Sequence, residues 1–181
     1  MKPTLILLTG APGSGKTTLA HQLATAIPCP AICRDELKEG LVHSHVSASD
    51  QSEDRALTWR TYKVFFGLAQ YLVENGVSAV FEAAFQHPLW TKGLEPLLGR
   101  ADIRIVRCEV DPAVAYARIV QRVDDPARAA HDDRAFLASV DAGAVSIGSW
   151  EPLRLDVPTL VVDTSDGYVP GLEEIVAFAR G

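Results

Sequence analysis

The chain has 181 residues, 48% of them hydrophobic, and a formal net charge of −6. That length suits one domain, spanning 1–181, which buries its core without disulfides or a structural metal. The negative balance argues against a broad electrostatic footprint for nucleic acid and leaves only a local basic groove as a route to a polyanion.

Thr4-Leu5-Ile6-Leu7-Leu8-Thr9 is a nearly continuous apolar run, as expected of a central parallel strand covered on both faces. Gly10-Ala11-Pro12-Gly13-Ser14-Gly15-Lys16-Thr17 follows at once and fits G-x-x-x-x-G-K-[ST] without a mismatch. Phosphates need many donors at close range, and glycines allow the loop to turn tightly and expose consecutive backbone N–H groups. Lys16 adds a charge that follows the transferred phosphate and is expected to face solvent when no ligand is bound. The Thr17 hydroxyl is placed for Mg²⁺, and Thr18 completes the phosphate-binding set. Leu19, Ala20, Leu23 and Ile27 then recur at helical spacing until Pro28 and Pro30, so the loop opens a helix whose N-terminal dipole favours anions. The competing reading, a turn that merely tightens strand and helix, explains less of this setting.

Pro30-Ala31-Ile32-Cys33 reads as a second strand, and Arg34 to Leu41 as a polar stretch opening a helix. Asp35 therefore stands at a strand's carboxyl end, where open α/β sheets bind ligands. It suits a base that accepts a proton from an attacking hydroxyl, or else an ordinary helix N-cap. Residues 43–54 read as a polar loop whose His43 and His45 have no partner at zinc spacing. A helix from about Gln51 to Asn75 follows, with Leu57, Tyr62, Phe65, Ala69 and Leu72 as its apolar stripe and Gly76 ending it. Trp59, Tyr62, Phe65 and Phe66 read as core rather than as a substrate pocket.

Val77 to Glu82 is the third strand, and Glu82 at its end holds Mg²⁺, binds substrate, or is simply an exposed terminus. A short helix around Pro88–Leu98 leads to a fourth strand, Ile103 to Val110, whose Arg104 and Arg107 read as strand residues away from the chemistry. Asp111-Pro112 begins a helix carrying Arg118 and Arg122 one turn apart. The charged segment 122–134, with Pro126 in its middle, reads as a lid over anionic phosphates, or as a solvated surface with internal ion pairs. A helix Arg134–Ala142, a fifth strand Thr159 to Asp163 and a last helix from about Leu172 to Arg180 complete the chain. Cys29, Cys33 and Cys108 form no C-x-x-C pair and read as reduced core thiols. No stretch is long enough to cross a bilayer, and the N-terminal apolar run leads into the glycine loop rather than a cleavage site, so a cytoplasmic protein with no membrane partner is expected.

Strands alternating with helices give an α/β fold, a three-layer α/β/α sandwich with a five-stranded parallel sheet. Gly10 to Thr17, the Arg34-Asp35 pair, the acidic end of the third strand, Arg118-x-x-x-Arg122 and Val162-Asp163-Thr164 together resemble the adenylate-kinase-like P-loop kinases. Within that group they are similar to the small kinases related to polynucleotide 5′-hydroxyl kinase, zeta toxin and chloramphenicol phosphotransferase. The resemblance covers nearly the whole chain. It implies strand order 2-3-1-4-5, ATP and Mg²⁺ as cofactors, Asp35 as general base beside Lys16, Arg122 on the ATP phosphates, and the Asp163–Gly167 loop, with Thr164, near adenine. On the substrate side the chain departs from polynucleotide kinases, with Lys38 where they carry Arg, and Phe85 and Trp90 where they carry basic residues. A small-molecule acceptor is expected ahead of a polynucleotide 5′-hydroxyl, a nucleotide sugar, or a non-kinase ATP-binding switch.

Overall fold

The structure is a computed structural model and describes residues 2–44, 51–85, 90–125, 133–147 and 150–181. In chain order the elements are β1 (Thr4–Gly10), α1 (Lys16–Ala26), β2 (Ala31–Cys33), α2 (Arg34–His43), α3 (Gln51–Glu74) and β3 (Ala79–Glu82). Then come α4 (Thr91–Leu94) with a 3₁₀ turn at Glu95–Leu97, β4 (Asp102–Glu109), α5 (Pro112–Arg122), α6 (Asp133–Asp141), β5 (Thr159–Asp163) and α7 (Leu172–Arg180). Among the described residues five strands form one sheet in the order β2-β3-β1-β4-β5, every pairing parallel.

β1 lies between β3 and β4, which is why its sequence is apolar from Leu5 to Leu8. Successive side chains point to opposite faces of a strand, so Leu5 and Leu7 enter one core layer and Ile6 and Leu8 the other. The first layer packs Phe65, Phe66, Ala69 and Val73 of α3 with Phe81, Phe85, Trp90 and Leu153. The second packs Leu19, Ala20 and Leu23 of α1 with Val106, Val162 and Ile175 of α7. These two layers make the sandwich, with α1 and α7 on one face and α3 on the other.

α5 starts at Pro112, as expected, with Asp111 as its N-cap accepting hydrogen bonds from the N–H groups of Ala113 (2.8 Å) and Val114 (3.3 Å). The differences from the sequence reading lie at other element ends. α2 starts at Arg34 with Cys33 in the capping position, so Asp35 is in the first helical turn and not the N-cap. The segment expected as one helix over 88–98 is a single α turn followed by a 3₁₀ turn from Thr91 onward. The central part of the expected lid, 126–132, and of the expected loop at 45–50, lies outside the described residues.

The aromatics of α3 divide. Phe65 and Phe66 are buried, while Trp59 is half exposed. Phe65 meets the rings of Phe66, Phe81, Phe85 and Trp90 with centroids 5.1 to 5.9 Å apart, mostly edge to face. Phe65→Ala should therefore cost about 3–5 kcal/mol through lost burial and the cavity left behind, read as a lowered urea midpoint with an unchanged slope.

Candidate active site

The sheet register decides what meets at the carboxyl edge. Leu8 of β1 pairs with Glu82 of β3, and Cys33 of β2 pairs with that same Glu82. The glycine loop leaves β1 two residues later, so the β3 carboxylate is delivered under the loop, and Arg34-Asp35 begins on its other side. The link continues past the strands, with the Ala83 N–H donating to the Leu8 carbonyl at 3.2 Å and the Thr9 hydroxyl donating to the Ala84 carbonyl at 2.8 Å.

Glu82 is 1% exposed and is held from two sides. The Thr17 hydroxyl donates to Oε2 at 3.2 Å, and the Lys16 ammonium lies 3.9 Å from Oε1. Burial pushes its carboxyl pKa up; Lys16 opposes this, Asp35 adds to it, and hydrogen bonds from Thr17 and Cys33 oppose it. Glu82 is thus not an exposed strand end. Lys16, expected to face solvent, folds back over the loop with 13% of its side chain exposed and donates to the Ala11 carbonyl at 3.4 Å. Asp35 accepts from Arg34 Nη1 at 2.9 Å, and its negative charge adds to the upward push on the Glu82 carboxyl.

The loop's glycines serve internal packing as much as phosphate access. A Cβ on Gly10 would lie 2.6 Å from Ser14 Oγ and 2.7 Å from the Cys108 carbonyl, and one on Gly13 would lie 2.6 Å from the Ala115 carbonyl of α5. Gly13 and Gly15 have φ of 79° and 71°, the left-handed region that favours glycine. Ser14 is fully buried, with its Oγ lacking a partner. The loop N–H groups are the donors that phosphate oxygens can take, and Thr17 with Glu82 supplies the hard oxygen atoms that Mg²⁺ prefers. The residues therefore fit a magnesium-bound nucleotide triphosphate.

Two expected nucleotide residues brace the loop from behind. Thr164 is buried, and its hydroxyl lies within hydrogen-bonding distance of the carbonyls of Ser14 (2.8 Å) and Glu109 (3.0 Å). Arg118 donates to the carbonyls of Gly13 (3.3 Å), Thr164 (2.6 Å) and Ser165 (3.2 Å). Together they bolt the loop to the end of β5. Arg122, one turn further along α5, makes a two-pronged ion pair with Asp133, Nε to Oδ2 at 3.0 Å and Nη2 to Oδ1 at 3.3 Å. It therefore clasps the far end of the charged segment. Arg128 lies outside the described residues, and Arg134 pairs with Asp124 at 2.6 Å.

Phe85 and Trp90, which stand where polynucleotide kinases carry basic residues, belong to the core, and residues 86–89 between them lie outside the described residues. Arg107, read as remote, instead lines a cleft of about 380 Å³ with Ala11 of the loop, Glu109, Ile147, Trp150 and Pro152. Arg107 Nε is 3.2 Å from Glu109 Oε1, and the Trp150 indole donates to the Ala84 carbonyl at 2.7 Å, tying this cleft to the end of β3. The sequence signal for Arg107 was the carboxyl end of a strand beside the glycine loop; Ile147 and Trp150 carry no such mark. Arg104, by contrast, sits with Asp102 and the Phe178 carbonyl. Among the described residues no helix is long and apolar enough to cross a membrane.

The family model described as AAA domain matches residues 5–142. A presumed kinase from Chloroflexus aurantiacus J-10-fl superposes with a TM-score of 0.84 at 28% identity, covering 99% of this chain and 98% of that one. A sugar kinase from Janibacter sp. HTCC2649 superposes at 0.65 with 17% identity, covering 99% and 95%. The APS kinase of Mycobacterium tuberculosis, solved with AMPPNP and APS, superposes at 0.61 with 16% identity, covering 99% of each chain. The last two share the fold, which is that of P-loop kinases. A search of curated proteins gives no match.

The burial of Glu82 has a pH signature. Because its folded pKa is raised, the folded chain holds this proton more tightly than the unfolded one. Its contribution to stability is full below the ordinary carboxylate pKa and is lost as pH rises through the folded value. In metal-free buffer, urea midpoints of the native protein should therefore decline across that window by more than those of Glu82→Gln, and equal slopes for the two would contradict the assignment.

Proposed function

The chain belongs to the AAA domain family, and on that premise we propose that it is an ATP-dependent kinase that transfers the γ-phosphate to a hydroxyl of a small molecule. The observation that carries the reading is the buried Glu82 carboxylate between Lys16 and Thr17, with the charge of Asp35 acting on it. A glycine loop that only turned the chain would have no use for a buried acid, a lysine and a hydroxyl converging on one point.

In this reading the loop N–H groups from Gly10 to Thr18 and the Lys16 ammonium bind the β and γ phosphates, with Thr17 and Glu82 as the Mg²⁺ side of the site. When bound, Mg²⁺ supplies charge neutralisation across those phosphates. Asp35 accepts the proton of the acceptor hydroxyl as its oxygen forms the new bond to phosphorus and ADP departs with the old bridging oxygen. Arg34 steers the Asp35 carboxylate. Arg118 keeps the loop in place, and Arg122 exchanges Asp133 for a phosphate when the charged segment closes. Retention of a candidate base argues for a kinase over a nucleotide-binding switch.

The cleft beside Ala11 supports a small acceptor. Its volume of about 380 Å³ suits a metabolite-sized ligand, Trp150 and Ile147 offer apolar contact, and Arg107 with Glu109 offers a charged pair for polar substituents. A polynucleotide needs a run of cations along its track. The net charge of −6 and a cleft whose one arginine is offset by one glutamate do not supply one.

Calorimetry should detect Mg·ATP binding by the native protein and none by Lys16→Ala, whose far-ultraviolet circular dichroism should match. With an acceptor found by ADP release across a panel of hydroxylated metabolites, Asp35→Asn should keep ATP affinity and lose roughly 10²-fold or more in acceptor turnover. Undiminished turnover would remove Asp35 as the base. Acceptor affinity should also change little between low and moderate salt, and a steep slope with oligonucleotides would move the assignment to a polynucleotide kinase.

A further inference from the structure

His21 of α1, Cys33 at the end of β2 and Glu36 of α2 bring an imidazole nitrogen, a thiol and a carboxylate oxygen to within 4.8 Å of one another. His21 Nε2 is 2.6 Å from Glu36 Oε1 and 3.7 Å from Cys33 Sγ. These three residues lie on three elements and belong to no sequence motif, and none is assigned a role in binding the nucleotide. From this juxtaposition we propose a second metal site, a tetrahedral position for Zn²⁺ or a cation of similar softness, held by His21, Cys33 and Glu36 with a fourth place open to water.

The donor set selects the ion. Zn²⁺ takes nitrogen, sulfur and carboxylate oxygen together, whereas Mg²⁺ requires an octahedron of oxygens. A tetrahedral Zn²⁺ separates a nitrogen from an oxygen ligand by about 3.4 Å and a nitrogen from a sulfur ligand by about 3.6 Å. The observed sulfur distance already agrees, and the His21–Glu36 contact has to open by less than about 1 Å. Both of those side chains are about half exposed, so they have room to move, while the buried Cys33 is fixed by the sheet. A cation reaches the cluster directly from solvent, since His21 and Glu36 are both about half exposed.

Binding displaces the Cys33 thiol proton to solvent and oxidises nothing. The cation would join α1, β2 and α2 at the residue preceding Arg34-Asp35. It would also withdraw the thiol hydrogen bond that Cys33 shares with Glu82, so occupancy of this site removes one donor from the Glu82 carboxylate.

The test uses the reduced full-length protein in excess Mg²⁺, titrated with Co²⁺ as a spectroscopic stand-in for Zn²⁺. One equivalent should bind, with the absorption of tetrahedral Co²⁺ and a thiolate-to-cobalt charge-transfer band, and Zn²⁺ should displace it. Cys33→Ser should remove the charge-transfer band, while Cys29→Ser and Cys108→Ser should retain it. His21→Ala, at an exposed position that does not threaten the fold, should weaken binding by about tenfold or more, since even the loss of an outer-shell partner costs that much. A Zn²⁺-dependent rise in melting temperature should appear in the native protein and not in His21→Ala. Absence of the charge-transfer band, its survival in Cys33→Ser, or equal affinity in His21→Ala would overturn the site.

Discussion

A single buried carboxylate organises this molecule. Glu82 has lost its water, and what replaces it is an ammonium and two hydrogen-bond donors supplied by two elements: Lys16 and Thr17 from the start of α1, and Cys33 from the end of β2. A buried charge without partners costs far more than one that is paired and hydrogen-bonded. The loop conformation, the register of β1 against β3 and the placement of β2 are therefore mutually dependent. Shifting β3 by one residue would turn Glu82 to the other face of the sheet and leave Lys16 and Thr17 facing apolar neighbours.

The loop is correspondingly built as a rigid receptor. Gly10 lets β1 pass close to Cys108 and Ser14, Gly13 lets α5 approach to contact distance, and Thr164 and Arg118 hold the loop's own carbonyls from the β5 side. Those carbonyls are thereby turned away from the phosphate side, leaving N–H groups to face an anion. Preorganisation of this kind moves the ordering cost of a phosphate site from the binding step to folding.

The two flanks of the loop differ in firmness. On the β5 side hydrogen bonds of 2.8 and 3.3 Å hold the loop carbonyls, with Thr164 buried and Arg118 partly so. Beside Ala11, Arg107, Trp150 and Ile147 line an open cleft, and the Arg122–Asp133 ion pair joins the two ends of the charged segment. Trp150 links the cleft to the end of β3 through the Ala84 carbonyl, which also receives Thr9. The next residue, Phe85, has a φ of 42°, a conformation a large side chain tolerates only when its surroundings determine it. Here the surroundings are the aromatic core, so this cleft and the core share one strained turn.

The sequence by itself determined the sheet, its order through the family resemblance, the phosphate loop and the position of Asp35 at a strand's carboxyl end. Those features are written locally: an apolar run, a fixed spacing of glycines and a lysine, and the punctuation of helices by proline. It also pointed to Glu82 without choosing among its roles, because a strand-terminal acid looks the same whether exposed or buried. Only the tertiary structure decided that Glu82 is buried against Lys16 and Thr17. It likewise assigned Thr164 and Arg118 to bracing the loop, put Phe85 and Trp90 in the core, and turned Arg107 toward the loop. It alone drew His21, Cys33 and Glu36 together. Each of these depends on which face of a strand or helix meets which neighbour, and that is fixed by long-range register and packing rather than by any stretch of chain a local pattern can span.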